Sequence, residues 1–433
     1  MSAPLSAGVA QSDITPEVGD KLAGSLWPRI SQGVQDPLYA KALVLESEGQ
    51  RLAMVALDLV SLERAHGDEA VALASKAAGI PQDHIVWTAT HTHTGPYTRK
   101  RQSEHVNAEW MAKIPGRIAQ AVADAQSNLR PVRLSRLRAF HFATCHNRRV
   151  AFKDGRQVNT WLLGNDCGVQ SVGSAGPIDP EIGMLALDDA DGKLMAVFFT
   201  FALHTNSNFG PCFSADYPAT VAKRIAERFG EDVATIYFPG CCGNINPCVP
   251  AGADRRDIVV GNLLADAMIP AIEIRRPLPG PFPLNATKRE ITVPYRDLWM
   301  DMEERLARTM YPPKSCDVFR KAQKVLQAEG KTQADTILQA WHIGDTVFLS
   351  LPGEVFVEWG IKIKQASPFP WTFPVELGAD SLGYLATREA YEAGGYESLL
   401  SNGTMIDVAG VEMMVDRGVS DLHRLHREMT AAK

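Results

Sequence analysis

The sequence has no segment that is both apolar and long enough to cross a bilayer. Its longest apolar run, residues 194–203, holds ten residues with a threonine among them, about half of the ~20 that a spanning helix needs. The first 14 residues also lack the basic start and the continuous apolar stretch of a secretory signal. We therefore expect a cytoplasmic protein without a transmembrane segment.

An electropositive surface and a disulfide framework are missing as well. The chain carries 44 Lys and Arg residues against 50 Asp and Glu residues, a formal net charge of −6, and a nucleic-acid-binding protein needs the opposite balance. Its seven cysteines are odd in number and irregularly spaced, unlike the framework of a small secreted domain. Nucleic acid is excluded as an expected partner, and reduced thiols are expected.

The 433 residues, 45% of them hydrophobic, suffice to bury a large core. Apolar, β-branched runs predict buried strands at residues 42–46, 52–58, 85–90, 194–203, 235–238 and 346–351, and alternation predicts half-exposed strands at 133–142 and 286–295. Helical spacing occurs at residues 104–126, 217–229, 257–274, 302–310, 355–364 and 411–429. This pattern predicts an α/β fold with a mixed β-sheet core flanked by helices.

The proline-rich stretch at residues 276–284 is the one candidate domain boundary, because its prolines cannot continue a helix. Candidate site residues lie on both sides of it, and a single site formed from them needs both halves packed together. We therefore expect residues 1–433 to form a single domain.

Two histidines follow a predicted buried strand, in the segment Thr90-His91-Thr92-His93-Thr94-Gly95-Pro96. In an extended backbone residues two apart face the same side, so His91 and His93 are expected to project together where α/β enzymes bind ligands. Paired histidines also occur as ordinary hydrogen-bonded residues, and both interpretations stay open from this feature alone.

A third histidine and a carboxylate end two further strands. His204 follows the apolar run at 194–203, and Glu354 follows Pro352-Gly353 after the strand at 346–351, where it could instead cap the next helix. Asp216 is placed to cap the helix at 217–229 and is also a candidate acceptor for a ligating imidazole. Three histidines and one carboxylate match the nitrogen and oxygen ligands of zinc, with one histidine free to serve the substrate.

These residues lie in motifs that resemble the neutral, non-lysosomal ceramidases, zinc amidohydrolases that cleave N-acyl sphingosine. The segment 90–96 is similar to the family's THTHSGP signature, and similar segments follow in the same order: Asn147-Arg148, Ser214-Ala215-Asp216-Tyr217, Pro352-Gly353-Glu354, Tyr384-Leu385-Ala386-Thr387 and Gly395-Tyr396-Glu397. The resemblance reaches from Ala7 to about Tyr396.

The resemblance implies a zinc ion held by His91, His204, Glu354 and Tyr384. It also implies that His93, Arg148 and Tyr396 line the reacting centre. The sequence departs from the family at Asn246, which stands where the family has a serine to which catalysis is assigned, in Gly243-Asn244-Ile245-Asn246-Pro247-Cys248. Asparagine is not a nucleophile, so serine acylation cannot apply here.

The expected mechanism is hydrolysis of an amide bond by water that zinc activates. His93 would move the proton to the leaving group, and Arg148, Asn246 and Tyr396 would stabilise the oxyanion. The family's immunoglobulin-like C-terminal domain is not expected after the helix that ends near Met429, and the expected substrate is a small or amphiphilic amide rather than long-chain ceramide.

Three alternatives remain open on the sequence. One is a zinc esterase or lactonase with the same site, and a second is a family member that binds a ligand without turnover. The third is a cysteine nucleophile at Cys241 or Cys242, although buried structural cysteines are more common.

Overall fold

The computed structural model describes residues 5–99, 104–163, 170–249, 252–401 and 403–431. Of the seven cysteines, Cys167 lies outside these residues, and the other six carry free thiols. No helix in the described ranges is long and apolar enough to cross a membrane.

Three sheets of four or five strands dominate the fold. In spatial order, the first contains Ile85–Ala89, Gln50–Leu57, Tyr39–Ser47, Ser6–Asp13 and Arg130–Pro131; the second contains Ala234–Pro239, Leu194–Phe201, Glu181–Asp188 and Arg133–Phe140; the third contains Leu284–Pro294, Gln333–Ile343, Thr346–Leu351 and Trp371–Glu376. Each mixes parallel and antiparallel pairs. The predicted α/β class with mixed sheets is confirmed.

The sheets share one topology, although the sequence shows no internal repeat. In each of them three antiparallel strands are followed by a helix and then by a strand that pairs in parallel at one edge. The crossover helices are Arg64–Ala78, Tyr217–Phe229 and Val357–Ala366. Because parallel strands end on the same side, every sheet presents two neighbouring carboxyl ends at its parallel edge.

The three sheets pack against one another around a common core. Met54 and Val86 of the first sheet, Phe198 and Phe238 of the second, and Phe348 of the third belong to one buried cluster. The rings of Phe198 and Phe348 lie 5.4 Å apart. This central cluster holds the parallel edges of the three sheets at fixed positions relative to one another.

Helices cover the outer face of each sheet with clusters of their own. The α-helices of the described residues are Arg64–Ala78, Ala108–Met111, Ile114–Ser127, Tyr217–Phe229, Arg256–Glu273, Met302–Ala307, Pro313–Glu329, Val357–Ala366, Arg388–Ala393 and Val408–Ala431. The helix predicted at residues 104–126 was wrong in its extent. It is two helices, with Pro115 in the first turn of the second, where its missing N–H costs no hydrogen bond.

Short strands complete the structure and frame the site. They are Lys21–Leu22, Arg29–Ile30, Gly33–Val34, Cys145–Asn147, Arg149–Phe152, Gln157–Asn159, Ser171–Ser174, Cys212–Phe213, Ile245–Pro247, Glu354–Val355 and Tyr384–Leu385. The last two pair in parallel, with Glu354 opposite Tyr384. The proline-rich stretch at 276–284 crosses between sheets, since Leu278 donates to Leu134 of the second sheet and Leu284 begins the third.

Candidate active site

Four of the predicted site residues converge where strands from all three sheets end. The Nε2 atom of His93 lies 3.2 Å from that of His91. The Oε2 atom of Glu354 lies 3.4 Å from His91 Nε2 and 3.5 Å from His204 Nε2. The three histidines offer ligand atoms that all lie within 4.8 Å of one another.

Backbone carbonyls orient all three imidazole rings. The carbonyls are those of Val60, Gly24 and Cys242, at 2.8, 2.7 and 2.7 Å from the Nδ1 atoms of His91, His93 and His204. A carbonyl oxygen only accepts, so each Nδ1 carries a proton, and each ring in its neutral form directs its Nε2 lone pair toward the shared centre. This is the tautomer that a metal-binding histidine needs.

The backbone at His91 corrects one step of the sequence argument. The strand ends at Ala89, and His91 has a φ of 66°, in the left-handed region rather than in an extended conformation. Its N–H donates to the carbonyl of Leu59, and that of His93 donates to the carbonyl of Thr205, which follows the strand Leu194–Phe201 of the second sheet. The two rings therefore converge through a turn that neighbouring segments hold, and not through strand alternation.

Glu354 is a buried carboxylate without a matching donor. It does not cap the following helix, whose N-cap is Phe356, so the capping alternative was wrong. Its Oε2 is buried and has no hydrogen-bond partner among the described residues. Burial would raise the pKa of Glu354, but positive charge on His91 and contact with His204 hold it well below its usual value. An ionised carboxylate and three imidazole Nε2 atoms thus face one another.

This donor set fits a divalent cation. Lone pairs 3.2 to 3.5 Å apart repel one another unless a positive charge lies near them. A proton on His91, the Arg148 guanidinium 3.1 Å from His204 Nε2, and a metal ion among the donors can each supply such a charge. Burial would lower the pKa of His91, but the charge of Glu354 raises it. His93, which the family resemblance places at the reacting centre, belongs to this group of nitrogen donors, whereas Tyr384 lies next to Glu354 on the paired strand.

Arg148 lies at the edge of this centre and is 2% exposed. Its Nη1 donates to His204 Nε2 and to Asn246 Oδ1, each at 3.1 Å. Its Cζ lies 5.2 Å from the centre of the Tyr384 ring. The structure therefore brings the predicted Arg148 and Asn246 to the same side of the histidine cluster.

The sequence analysis gave no role to Glu397, which holds Arg148 in place. The carboxylate is fully buried and accepts from Arg148 Nε at 2.7 Å, from Arg149 Nη1 at 2.6 Å and from Asn159 Nδ2 at 2.9 Å. Burial would raise the pKa of Glu397, but the two guanidinium groups lower it. A carboxylate that follows a tyrosine in a short 3₁₀ helix, Tyr396–Ser398, carries no local sign of such partners.

Asn246 presents its amide NH₂ group. Its Oδ1 accepts from Arg148 and, at 3.4 Å, from Asn206 Nδ2. With the oxygen held by two donors, the Nδ2 group is left to donate toward a substrate. Tyr396 is half-buried, with its ring 5.5 Å from that of Tyr384, and burial raises its pKa to about 12, so its phenol is a donor at neutral pH.

The two adjacent cysteines lie behind the site in a setting that disfavours a nucleophile. Burial raises the pKa of both Cys241 and Cys242 well above the usual value of a thiol, and a protonated buried thiol is inert. Cys242 contacts Glu376, another buried carboxylate that the sequence analysis missed. Burial raises the pKa of Glu376 to about 7.

Asp216 has the capping role that the sequence predicts. Its side chain accepts from the N–H of Tyr217, the first residue of the helix, at 2.6 Å. It also accepts from the N–H of Asn208 at 2.7 Å. The alternative role as an acceptor for a ligating imidazole was wrong, since the Nδ1 of His204 binds the carbonyl of Cys242 instead.

Two exposed aromatic side chains lie near segments of the site. Trp161 is 45% exposed, with its ring 5.8 Å from that of Tyr396. Phe209 is 56% exposed, and Arg29 joins its segment to that of His93 by donating to the carbonyls of Phe209 and His93 at 2.9 and 2.7 Å. These rings provide apolar surface next to site segments.

No protein-family model matches the chain. A neutral ceramidase of Pseudomonas aeruginosa is 26% identical over 216 residues, which cover 47% of this chain and 30% of that protein. A crystal structure of neutral ceramidase from the same organism covers 97% of this chain and 75% of its own, with a TM-score of 0.73 and 19% identity. A ceramidase complexed with C2 gives a TM-score of 0.74 at 18% identity over 97% of this chain and 76% of that one. The resemblance predicted from the motifs is confirmed, and the chain has the neutral ceramidase fold.

Proposed function

We propose that this chain is a zinc-dependent hydrolase that cleaves the amide bond of an N-acyl compound. The observation that carries the proposal is the meeting of Glu354 with the Nε2 atoms of His91 and His204, in a buried centre whose donors fit a metal cation. Similarity to a neutral ceramidase supports the amide as the bond that is cleaved.

His91, His204, Glu354 and Tyr384 would hold the zinc. Bound there, zinc would polarise the substrate carbonyl and lower the pKa of a water molecule toward ~7. Burial keeps the pKa of Tyr384 well above its usual value despite the opposing charge of Arg148, and the charge of a metal favours the phenolate instead.

His93 is proposed to move the proton. Its Nδ1 proton is engaged by the Gly24 carbonyl, so its Nε2 is the atom that accepts a proton from the attacking water. The same nitrogen then returns the proton to the leaving amine. His93 is only half-buried, whereas His91 and His204 are buried, and a substrate can reach it.

Three donors would stabilise the carbonyl oxygen as it gains negative charge. They are the guanidinium of Arg148, the amide NH₂ of Asn246 and the phenol of Tyr396. Glu397 fixes Arg148, and Arg148 in turn fixes the oxygen of Asn246, so two of the donors are oriented before the substrate arrives. Preset donors in a site closed to water contribute more to rate than donors that must reorganise.

The exposed rings of Trp161 and Phe209 favour a substrate with an apolar part, such as an acyl chain. Trp161 beside Tyr396 and Phe209 in the segment joined to His93 would offer apolar contacts to such a chain. We propose an N-acyl amide of short to medium chain as the substrate class.

Zinc content and hydrolysis together test the proposal. Purified protein should contain about one zinc per chain, since the ligands converge only in the folded protein, and should hydrolyse N-acyl amides in a series graded by chain length. His91→Ala and Glu354→Ala should each remove metal and activity together. His342→Ala is the matched control, because His342 is a buried histidine that also binds a carbonyl, that of Gly344, outside the site.

Full zinc occupancy in either site variant would refute the ligand assignment. Zinc-loaded protein that cleaves esters and no amide in the series would refute the proposed bond. Zinc-loaded protein that binds the amides without cleaving them would make the chain a binding protein.

A further inference from the structure

Glu376 is a fully buried carboxyl group that the proposed mechanism does not use. It ends the strand Trp371–Glu376 at the parallel edge of the third sheet and is 0% exposed. Its Oε2 accepts from the backbone N–H groups of Cys242 at 3.0 Å and of Val355 at 2.8 Å, and Cys242 Sγ lies 3.0 Å from its Oε1. These three hydrogen bonds include none from a Lys or Arg side chain.

The partners of Glu376 belong to the segments that carry the proposed zinc ligands. The carbonyl of Cys242 is the group that orients His204. Val355 directly follows Glu354 in the chain. The Glu376 carboxyl group therefore links the peptide that orients His204 to the residue that follows Glu354.

The main chain at Glu376 reaches the third ligand segment. The carbonyl of Glu376 accepts from Thr88 Oγ1 at 2.5 Å, and the carbonyl of Leu377 accepts from the N–H of Ala89 at 3.2 Å. Both donors lie in the strand that leads to His91. Glu376 is thus in contact with the His91, His204 and Glu354 segments at once.

We infer that Glu376 is a positioning residue that sets the spacing of the zinc ligands by holding the Cys242 and Val355 peptides on one oxygen atom. The inference rests on the proposed zinc site. Burying a carboxyl group without a cation is costly, and an apolar side chain of the same size would stabilise the interior at least as well. An apolar side chain cannot hold the N–H groups of Cys242 and Val355, which come from separate segments, on one acceptor atom. Groups that hold the ligand-bearing segments in place in this way tune metal affinity.

The test compares zinc affinity in Glu376→Gln, Glu376→Asp and Glu376→Ala with that of the wild type, by competition with a chelator. A glutamine oxygen can take the place of Oε2 and accept from both N–H groups, so Glu376→Gln should bind zinc almost as tightly as the wild type. Aspartate keeps the charge but is one methylene too short to reach both donors. Glu376→Asp and Glu376→Ala should each bind zinc about 10- to 100-fold more weakly.

This order of zinc affinities separates the effect of side-chain length at residue 376 from the effects of its charge and of overall stability. If the charge of Glu376 mattered, aspartate would preserve zinc affinity and glutamine would lose it, and that result would overturn the inference. Asp421→Asn is the control for stability, because its buried carboxylate binds Arg289 and Arg424 rather than any site residue. It should lower the melting temperature of the zinc-free protein without changing zinc affinity.

The remaining outcomes are decisive as well. Should Glu376→Ala fail to fold, the zinc affinities of the glutamine and aspartate variants still distinguish reach from charge. Equal zinc affinity in the wild type and in Glu376→Asp would overturn the inference and leave the zinc site intact. A wild type that binds no zinc would refute the proposed function, and the inference with it.

Discussion

Truncating Asn246 tests how the site stabilises negative charge. In the proposed mechanism its NH₂ group donates to the substrate oxygen only when that oxygen becomes an oxyanion. Losing one such donor typically costs ~10²- to 10³-fold in turnover, or about 3 to 4 kcal/mol of transition-state stabilisation. Asn246→Ala should slow hydrolysis by that order and leave zinc content unchanged, because Asn246 is not among the proposed ligands.

The structure predicts a much smaller effect on stability. Truncation removes an acceptor from Arg148 Nη1, and a buried donor left without a partner costs ~1–3 kcal/mol. In zinc-free protein this nitrogen keeps its 3.1 Å contact with His204 Nε2. The loss of stability measured on zinc-free protein should therefore be about 1 kcal/mol, at the lower end of that range. The kinetic and thermodynamic effects therefore differ enough to be separated.

Two further variants at this position make the test specific. Asn246→Asp keeps an oxygen for Arg148 but has no NH₂ group, and it adds a negative charge beside the oxyanion. It should be at least as slow as Asn246→Ala with stability close to that of the wild type. Asn246→Ser should recover part of the rate, since a hydroxyl can both accept from Arg148 and donate.

The assay is steady-state hydrolysis of an N-acyl amide, with thermal unfolding and zinc content measured on the same preparations. Wild-type turnover in Asn246→Ala, or an aspartate variant faster than the alanine variant, would refute the donor role. Substrate covalently attached to Cys241 or Cys242 in mass spectra would replace the proposed water nucleophile with a thiol.

Two other predictions concern Tyr384 and Glu397. Adding zinc to metal-free protein should produce a tyrosinate absorbance change that Tyr384→Phe abolishes, because the metal favours the phenolate; the same signal in the variant would remove Tyr384 from the ligand set. The pKa of Glu397 would rise through burial but is lowered overall by Arg148 and Arg149. Its contribution to stability is thus present above its unfolded pKa of about 4.3 and is lost as the pH falls through the lower folded value. Unfolding of Glu397→Gln should show less stability at neutral pH and a weaker loss on acidification, and an unchanged pH profile would contradict this.

The sequence predicted those parts of the site that follow directly from strand patterns. His204 and Glu354 each follow a buried apolar strand, and such runs mark strands because both faces are covered. The helix Tyr217–Phe229 was predicted with its observed bounds, since Asp216 caps it and Pro218 lies in its first turn. Local sequence patterns predict an element correctly when residues of that same segment determine its conformation and its ends.

Groups that act across the three sheets leave no local pattern. The carbonyls of Gly24 and Val60 that orient histidines come from residues of no distinctive type. Glu376 was missed because Pro374 interrupts the pattern of its strand; the proline is tolerated there since the strand lies at the edge of the sheet. Tyr384, Arg148 and Tyr396 came from the family resemblance, because single tyrosines and arginines outside a strand or helix pattern predict no site by themselves.

The shared topology of the three sheets explains why each proposed ligand lies beside a group that positions it or its neighbour. Each sheet has two parallel strands whose carboxyl ends adjoin, and one end provides a site group while the other holds a group in place. In the first sheet Val60 orients His91; in the second, Cys242 orients His204. In the third sheet Glu354 follows one strand and Glu376 ends the other. Because a single central core fixes these three edges, the spacing of the proposed ligands depends on the packing of the whole fold. Zinc that binds only this arrangement would stabilise all three sheets together rather than one loop.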